Sequence, residues 1–591
     1  MSAAEKGPSQ AALVVSLAKA GYDLVMSEDG RPYGVRRHGP NVVLPLRGKA
    51  GLRSQLARKF TENNGGQVAS QSALADAMTV LEGIAAATDP VPVHLRVAGD
   101  SHHVVLDLGT ADGRCVLVTP EGWSVQDRSP VYFRRSGAMS PMPTPEPGDG
   151  DGLAKLRGLL NMDDGAFHQL IAWLVAAWIP HIPHPVLTFK GEQGTGKSKT
   201  AQMVINLVDP SAATKRSQPR DVKTWATQAF NSWALCLDNV STIPPWFSDT
   251  LCKAVTGDGI VDRALYTDDD VVVLTFRRVL AMTTIDAGAL AGDLAERLMM
   301  LELQLIPEHL RRTEEELDAV YAAARPAILA ALLDLLAKVL KQLPEVHLAK
   351  KPRMADFATV LAAVDHVQGW NTLRDYLKSS ETVAIEALEA DPFAAAVLAF
   401  VETHGAFTGT ATQLLNLLPP PESHDPKWPK NPSKVGSQLR RFAPALRAAG
   451  VGFETPRESD SGRNRIIRLT ASPEMARNLP SEPSALSEHA TDLRRPPDGT
   501  PVSAVRTTGE CCPTAPAPDS TDSTSDSTRT ATPNGMHVPD QHQQAPPDSA
   551  DGSDGKLQPI SGYHLRCATC GHPMDPALTT AGHLTHPDCT A

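Results

Sequence analysis

Residues 191–198, GEQGTGKS, constrain the fold of this 591-residue chain more than any other stretch. They follow an apolar run, 185-PVLTF-189, and they open an amphipathic run, 197-KSKTAQMVINLV-208. Glycines in a loop of this spacing, GxxxxGK[ST], let the backbone bend so that successive N–H groups face one anion. The pattern predicts a strand, a phosphate-binding loop (P-loop) and a helix, within an α/β domain whose parallel sheet is buried on both faces.

The loop predicts a site for ATP and Mg²⁺, in which Lys197 reaches the β- and γ-phosphates and Ser198 binds the metal ion. Asp238 ends a later apolar run, 233-WALCLD-238, and would hold the metal ion through water. Asn239 stands where many motor ATPases have a second acid; an amide orients water without accepting its proton, so the base is left unassigned. The predicted ATP-binding residues are Gly191, Glu192, Gln193, Gly194, Thr195, Gly196, Lys197, Ser198 and Lys199.

The elements that follow Asp238 narrow the class of ATPase. Residues 256–286 read as a glycine turn, a strand, an acidic tip at 268–270, a second strand, and the strand 278-RVLAMTT-284. This order resembles the superfamily 3 helicases of phages, plasmids and viruses, a branch of the AAA+ ATPases. Up to residue 470 the chain resembles ATP-binding proteins of actinobacterial mobile elements and prophages, in sequence segments such as 130-PVYFRR-135 and 293-DLAERL-298. Those proteins are in turn similar to the helicase half of phage and plasmid primase–helicases.

The resemblance implies roles for three further residues. Thr283 and Thr284 match the position of a polar sensor of the γ-phosphate, where the family usually has Asn. Arg297 matches the region of an arginine finger that reaches into a neighbouring subunit's site, so the resemblance also implies a homo-oligomeric ring. A structural ion pair of Arg297 with Asp293 or Glu296 is the alternative.

Two surfaces are candidates for contact with single-stranded or forked DNA. The acidic tip of the 256–286 hairpin would repel phosphate, which leaves Arg263, Arg277 and Arg278 on its flanks. Residues 391–470 read as three helices followed by a two-stranded ribbon, the order of a winged helix. The basic residues of this region are Lys434, Arg440, Arg441 and Arg447 on the third helix, and Arg457, Arg463, Arg465 and Arg468 in the ribbon. A charged helix face that is only solvated is the alternative.

The last residues of the sequence carry a Cys/His pattern. Cys567 and Cys570 form a CxxC pair, and after fifteen residues His586 and Cys589 form a second pair, which is zinc-ribbon spacing. The pattern predicts a structural Zn²⁺ site. His583 is an alternative fourth ligand, and an oxidised CxxC is the competing chemistry.

Changes in composition divide the chain. Residues 138–152 are rich in Pro, Gly and Asp, which predicts a linker, and residues 471–560 lack hydrophobic periodicity, which predicts disorder. The predicted order is an N-terminal α+β domain (1–137), the linker (138–152), a P-loop ATPase domain (153–305), a helical region (306–390), a winged-helix-like domain (391–470), a disordered linker (471–560) and a zinc-ribbon-like segment (561–591). We also expect helices over 10–21, 72–87 and 166–179, and an antiparallel meander over 93–120.

Charge and hydropathy argue against two classes of protein. The net charge of −11 argues against coating of nucleic acid by bulk positive charge. The longest apolar run, 170-LIAWLVAAWI-179, is about half the length of a membrane span, and the N-terminus has no signal pattern. We therefore expect a cytoplasmic protein without a membrane partner. Three single cysteines in apolar surroundings predict reduced core thiols: Cys115, Cys236 and Cys252.

Together these patterns predict a multidomain ATPase of the superfamily 3 type that moves or unwinds DNA in the replication of a mobile element or phage. Other replication or mobile-element proteins are candidate partners. The alternative is a DNA-bound regulatory or defence switch, which Asn239 and the acidic hairpin tip favour. A small-molecule kinase has no support, because the sequence indicates no second substrate pocket.

Overall fold

A computed structural model describes residues 7–48, 51–263, 271–285, 292–421, 425, 428–456 and 466–477. The chain divides into two compact units, Met1–Ser487 and Glu488–Ala591, and the described residues all lie in the first. Along this unit a region with two sheets is followed by a parallel sheet, a group of long helices and a small antiparallel sheet.

The N-terminal region begins with a helix because the Ser9 side chain accepts a hydrogen bond from the Ala12 N–H, which caps its first turn. Gly30, at φ 73°, supplies the left-handed residue in the turn between the first two strands. The elements are α1 (Gln10–Gly21), β1 (Tyr22–Ser27), β2 (Pro32–Arg36), β3 (Val42–Pro45), α2 (Leu52–Asn63), α3 (Gln71–Ala86), β4 (Pro90–Val91), β5 (Val93–His94), β6 (Val97–Gly99), β7 (Val104–Asp107), β8 (Cys115–Thr119), β9 (Gly122–Gln126) and β10 (Tyr132–Arg134).

These strands form two sheets. One has six strands in the order β4-β1-β2-β3-β10-β5, and the other is an antiparallel meander in the order β6-β7-β8-β9. The predicted helices over 10–21 and 72–87 are confirmed as α1 and α3, and the predicted meander is confirmed from Val97 onward. The six-stranded sheet and α2 were not predicted, because their strands are short and interrupted by charged residues and glycines.

The middle region contains a parallel sheet of five strands in the order β12-β13-β16-β11-β17, which confirms the predicted α/β class. Every residue of β13 and of β16 is buried, as expected for strands covered on both faces. The elements are α4 (Gly152–Arg157), α5 (Asp164–Ala176), β11 (Val186–Lys190), α6 (Lys197–Val208), β12 (Lys215–Arg216), α7 (Val222–Phe230), β13 (Ala234–Leu237), α8 (Pro245–Thr256), β14 (Gly259–Arg263), β15 (Val271–Thr275), β16 (Val279–Thr284), α9 (Gly292–Ala295) and β17 (Leu298–Glu302).

One hydrophobic core joins the meander to the parallel sheet. Residues of β6, β7 and β8 pack in the same cluster as α5, in which ten side chains are buried, and as the strands β11 and β16. The segment 138–152, which composition suggests is a linker, packs against this core: Met142 is only 2% exposed, and Met139 forms a β-bridge with Ser211. The meander and the segment after it therefore brace the parallel sheet.

Three long helices follow: α10 (Glu314–Gln342), α11 (Ala355–Gln368) and α12 (Thr372–Glu389). A capping box of Thr313 and Glu316 begins α10, and the Tyr321 hydroxyl on this helix donates to the Met203 carbonyl of α6. By length and composition, one helix in the described part of the chain, from residue 314, could cross a membrane. Eleven of its side chains are buried against the protein's own core, which accounts for its apolar composition.

The C-terminal region holds an antiparallel sheet in the order β18-β20-β19, with helices packed on it. The predicted ribbon is confirmed as β19 and β20, while β18 was not predicted. The elements are α13 (Pro392–His404), β18 (Ala406–Thr410), α14 (Ala411–Leu417), α15 (Pro432–Ala448), β19 (Val451–Glu454), β20 (Ile466–Ala471) and α16 (Pro473–Arg477).

The three single cysteines are buried thiols outside any disulfide, as predicted. Burial raises the pKa of the Cys115 thiol to about 11 and that of the Cys236 thiol to about 12. Both thiols therefore stay protonated and unreactive at neutral pH.

A buried histidine makes the stability of the fold depend on pH. His184 precedes β11, and its Nε2 lies 2.9 Å from the Ala176 carbonyl oxygen and 3.1 Å from that of Ile179, so Nε2 carries the proton that it donates. Burial lowers the pKa of His184 to about 4, whereas histidine in the unfolded chain has its ordinary pKa of 6.5. Because the unfolded state binds more protons between these values, stability is full above pH 6.5 and is lost as the pH falls towards 4, by about 3 kcal/mol.

Chemical denaturation at pH 7 and pH 4 tests this expectation, with the His184→Gln protein as comparison. Glutamine keeps a neutral N–H donor but does not titrate, so the variant should lose about 3 kcal/mol less than the wild type between the two pH values. Equal losses in the two proteins would contradict the assignment.

Candidate functional site

The glycine-rich loop, residues 191–196, follows β11 directly and ends immediately before α6. Gly191, Gly194 and Gly196 have φ of 156°, 86° and 79°, which side chains rarely tolerate. A Cβ on Gly191 would stand only 2.9 Å from Thr195 Oγ1 and 3.0 Å from the Leu303 carbonyl oxygen. The three glycines are thus required by the backbone path itself, and α6 begins with its free N–H groups at the loop.

Lys197 folds back over this loop. Its Nζ donates to the carbonyl oxygens of Gly191 at 2.6 Å and Glu192 at 2.7 Å. Partial burial lowers the pKa of Lys197, and the nearby Asp238 carboxylate opposes that shift. The ammonium group is therefore a cation held across the mouth of the loop, bonded to neutral carbonyls that an anionic ligand can replace.

Asp238 stands at the carboxyl edge of the sheet and joins two hydroxyl groups. Its Oδ1 accepts from Ser198 Oγ at 2.7 Å and from Thr283 Oγ1 at 2.7 Å. The carboxylate reaches both because β16 lies between β11 and β13, which aligns the ends of three strands. A carboxylate next to a serine hydroxyl is a set of hard oxygen donors that suits Mg²⁺.

The backbone conformation at residue 239 explains why asparagine occupies this position. It is the one non-glycine residue with positive φ, 58°, in the part of the chain that the structure describes. Its N–H donates to Thr283 Oγ1 at 2.7 Å, so the same threonine holds two successive residues at the strand tip. Asn adopts left-handed backbone more readily than most residues. From the sequence, Asn239 was expected to orient water where many ATPases have an acid, and no pattern indicated this turn.

The other residues that were predicted to bind the nucleotide differ in where their side chains lie. Glu192 and Gln193 are exposed at the loop tip, and Thr195 is buried with its hydroxyl donating to the Glu192 carbonyl at 2.9 Å. Thr284 is buried beside Lys190 in the sheet register. Lys199 points away from the loop and pairs with Asp318 of α10 at 2.7 Å, so its ammonium group ties α6 to that helix.

Arg297 lies at the opposite edge of the sheet from the loop. It precedes β17, where Leu298 aligns with Val186, whereas the loop follows Lys190 at the other end of β11. Its Nη1 donates to Cys252 Sγ at 3.4 Å. Of the acids weighed as its ion-pair partner, Glu296 pairs with Arg353, and the Asp293 side chain lies outside the described residues. Arg297 is thus a strand length from the loop of its own chain.

The structure corrects the predicted DNA contact at Arg278 and argues against the one at Arg277. Arg278 is 8% exposed, and its guanidinium donates to the main-chain oxygens of Ala229 and Arg277. Arg277 is half-buried, and its guanidinium donates to the Thr256 carbonyl at 3.1 Å and the Pro180 carbonyl at 3.4 Å. These side chains fix the start of β16. Arg263 belongs to β14, and its side chain lies outside the described residues.

Helix α15 presents a basic surface. Its buried side carries Val435, Leu439, Phe442 and Leu446, and its sequence contains no acidic residue. The four predicted basic residues are all exposed: Lys434, Arg440, Arg441 and Arg447. In the adjoining sheet, Arg468 forms an ion pair with Glu454 at 3.5 Å.

Several predictions fall outside the described residues. These are the acidic tip 268–270, the ribbon residues Arg457, Arg463 and Arg465, and the zinc-ribbon-like segment with Cys567, Cys570, His583, His586 and Cys589. In the part that the structure describes, no group of three or more His, Cys, Asp or Glu side chains is arranged to hold a metal ion.

Two solved structures resemble this chain only distantly. The apo structure of the NrS-1 C-terminal region has a TM-score of 0.34 and 12% identity, over 79% of this chain and 100% of that one. The X-ray structure of JCV helicase has a TM-score of 0.22 and 12% identity, over 40% of this chain and 64% of that one. No curated protein matches the sequence.

Two family models match in succession. The model of the actinomycete integrative conjugative element (AICE) replication protein matches residues 153–385, which contain the glycine-rich loop, Asp238 and the helices α10 and α11. The model of the AICE RepA C-terminal domain matches residues 393–491, which contain α15 and the antiparallel sheet. The two matches together cover more than half of the chain, which over residues 153–385 and 393–491 belongs to the replication proteins of actinomycete integrative conjugative elements.

Proposed function

We propose that this protein is a Mg·ATP-hydrolysing motor of the superfamily 3 helicase type that acts on DNA in the replication of its element. The observation that carries the proposal is the cluster at the carboxyl edge of the sheet, where the Asp238 carboxylate lies 2.7 Å from both Ser198 Oγ and Thr283 Oγ1. Lys197 and the glycine-rich loop stand beside this cluster. Family membership supports a role in replication.

Each residue has a separate task in the proposed reaction. The loop N–H groups and Lys197 hold the phosphates of ATP, and Ser198 with Asp238 holds Mg²⁺, which would neutralise phosphate charge when bound. Thr283 orients the Asp238 carboxylate and the N–H of Asn239. Asn239 is exposed at the strand tip, from which its amide can orient the attacking water.

Hydrolysis is proposed to need two subunits. Arg297 is too far from the loop of its own chain to touch the same nucleotide, since a whole strand separates them. In a ring, the Arg297 of one subunit would stabilise charge on the γ-phosphoryl group bound by the next. This arrangement makes hydrolysis depend on protein concentration, which dilution experiments can measure.

DNA is proposed to bind the exposed basic side of α15. The helix offers four cations and no carboxylate, as an electrostatic contact to phosphates requires. The double variant Arg440→Ala/Arg441→Ala should weaken DNA binding equally for all sequences and reduce the slope of log K against log salt by about 2. Fluorescence anisotropy at several salt concentrations measures both quantities.

The matched control neutralises two exposed lysines of α10, in the variant Lys338→Ala/Lys341→Ala. It removes the same charge from another helix, so its salt slope should equal that of the wild type. A slope unchanged by the α15 substitutions would show that their side chains are only solvated.

A second candidate function is a DNA-bound switch, in which the nucleotide state controls assembly without processive unwinding. Asn239 favours it, because an amide follows Asp238 at the strand tip in place of a second acid, and an amide cannot accept the proton of water. The two functions differ in steady-state turnover. The motor predicts an ATPase rate that rises several-fold with single-stranded or forked DNA, whereas a slow rate that DNA does not change would favour the switch.

A further inference from the structure

The segment 303–313, which connects β17 to α10, lies against the glycine-rich loop of the same chain. It is attached at its start, where the Leu303 N–H donates to the Lys190 carbonyl at 2.9 Å. Just beyond its end, Asp318 pairs with Lys199 of α6 at 2.7 Å. Because Lys190 precedes the loop and Lys199 follows it, the segment is held on both sides of the loop.

Two side chains of this segment approach the loop glycines. Ile306 Cδ1 lies 3.4 Å from the position that a Cβ on Gly196 would occupy, and Arg311 Nη2 lies 3.9 Å from the corresponding position on Gly194. Among the described residues, and apart from the chain neighbours of Gly194, no other atom comes within 4 Å of that position. The Arg311 guanidinium is therefore the group that stands over the centre of the loop.

Nothing in the described part of the chain neutralises Arg311. The side chain is exposed, no carboxylate of the described residues pairs with it, and its hydrogen bond from Nε to the Ile306 carbonyl is long, at 3.4 Å. A phosphate oxygen bound by loop N–H groups lies about 3 Å from their nitrogens. Because Arg311 Nη2 lies 3.9 Å from the position that a Cβ on Gly194 would occupy, rotation about side-chain torsions is enough for the guanidinium to reach such an oxygen.

We propose that Arg311 is a nucleotide-binding residue that contacts the phosphates of the nucleotide held by the loop of its own chain. This inference rests on the proposed ATP site and adds a ligand-contacting residue from outside the P-loop motif. A guanidinium makes charge-assisted hydrogen bonds to phosphate, partly shielded here by solvent. The role is opposite to that of Arg297, which would act on the nucleotide of a neighbouring subunit.

Nucleotide binding to the full-length protein tests the proposal. The Kd for a fluorescent ATP analogue in the presence of Mg²⁺ should rise roughly tenfold in Arg311→Ala, and Arg311→Lys should recover part of the loss. Arg312→Ala is the matched control, because Arg312 is exposed and its removal takes away the same charge at the next residue. The Kd of this variant should equal that of the wild type. Equal Kd values for Arg311→Ala and the wild type would overturn the proposal.

A mixing experiment shows whether Arg311 acts on the nucleotide of its own chain or on that of a neighbouring subunit. Lys197→Ala protein cannot use its own site but carries an intact Arg311 and Arg297, and it is mixed with either arginine variant at an ATP concentration near the wild-type Kd. Arg297→Ala should regain hydrolysis, because a neighbour supplies the missing finger, whereas Arg311→Ala should not. Recovery of Arg311→Ala would contradict action within one chain. Absence of nucleotide binding by the wild type would instead contradict the proposed ATP site itself.

Discussion

Replacing Lys197 by alanine is expected to lower the ATPase kcat/KM at least about 100-fold, the loss typical of removing one preorganised cationic donor from a charged transition state. The ammonium group stands over the loop, 2.6 Å from the Gly191 carbonyl oxygen, and in the proposed site it is the cation of the P-loop motif that would face the phosphates. The backbone of the loop does not depend on the side chain, because its glycines set the φ values.

The control for this variant is Lys338→Ala, which removes the same charge from α10. Lys338 is exposed and lies outside the proposed nucleotide and DNA contacts, so its removal should leave kcat/KM within a few-fold of the wild type. Both proteins should unfold at the same temperature as the wild type, which separates lost chemistry from lost structure. Equal rates in Lys197→Ala and the wild type would mean that the loop is not the site of hydrolysis.

Replacing Arg96 by methionine is expected to cost about 3–5 kcal/mol of stability, the range found when one partner of a buried ion pair is removed. Arg96 is completely buried; its Nε donates to Asp209 Oδ1 at 2.8 Å, and its other nitrogens donate to the carbonyls of Asp107 and Ser140. Asp209 follows α6 directly, so the pair ties the meander to the helix that begins at the loop. Methionine would leave the Asp209 carboxylate buried without its cation.

Chemical denaturation measures the loss, with Arg114→Ala as the control. Arg114 also pairs with a carboxylate, Asp112, at 2.8 Å, but Asp112 is exposed and Arg114 is partly exposed, so stability should hardly change. The double variant Arg96→Met/Asp209→Asn should lose clearly less than the sum of the two single variants, because the charges are coupled. Additive losses would show that Arg96 acts through packing alone.

The loop and the strand ending in Asp238 could be predicted from the sequence, because both depend on local signals: glycine spacing, an apolar strand and a helix start. The contact between Asp238 and Thr283 could not be predicted from the sequence. It depends on β16 lying between β11 and β13, and strand order is set by packing between segments far apart in the chain. The left-handed backbone of Asn239 follows from that contact and was equally hidden.

The burial of charged residues also could not be predicted from the sequence. Arg278 was predicted to face DNA because it flanks a hairpin, yet its guanidinium is buried on main-chain carbonyls, a use of arginine that leaves no mark in the sequence. The basic side of α15 was predictable because helical periodicity separates it from the apolar side. Arg311 has no such pattern, and only the path of the segment 303–313 over the loop reveals its position.

The central claim, that ATP hydrolysis at this site drives movement on DNA, is tested most directly by strand displacement. A forked DNA with one fluorescent strand is incubated with the full-length protein, Mg²⁺ and ATP, beside Lys197→Ala. Release of the labelled strand that requires ATP and is lost in Lys197→Ala is the predicted result. Hydrolysis stimulated by the forked DNA without any strand release would contradict the motor and leave the nucleotide-controlled switch.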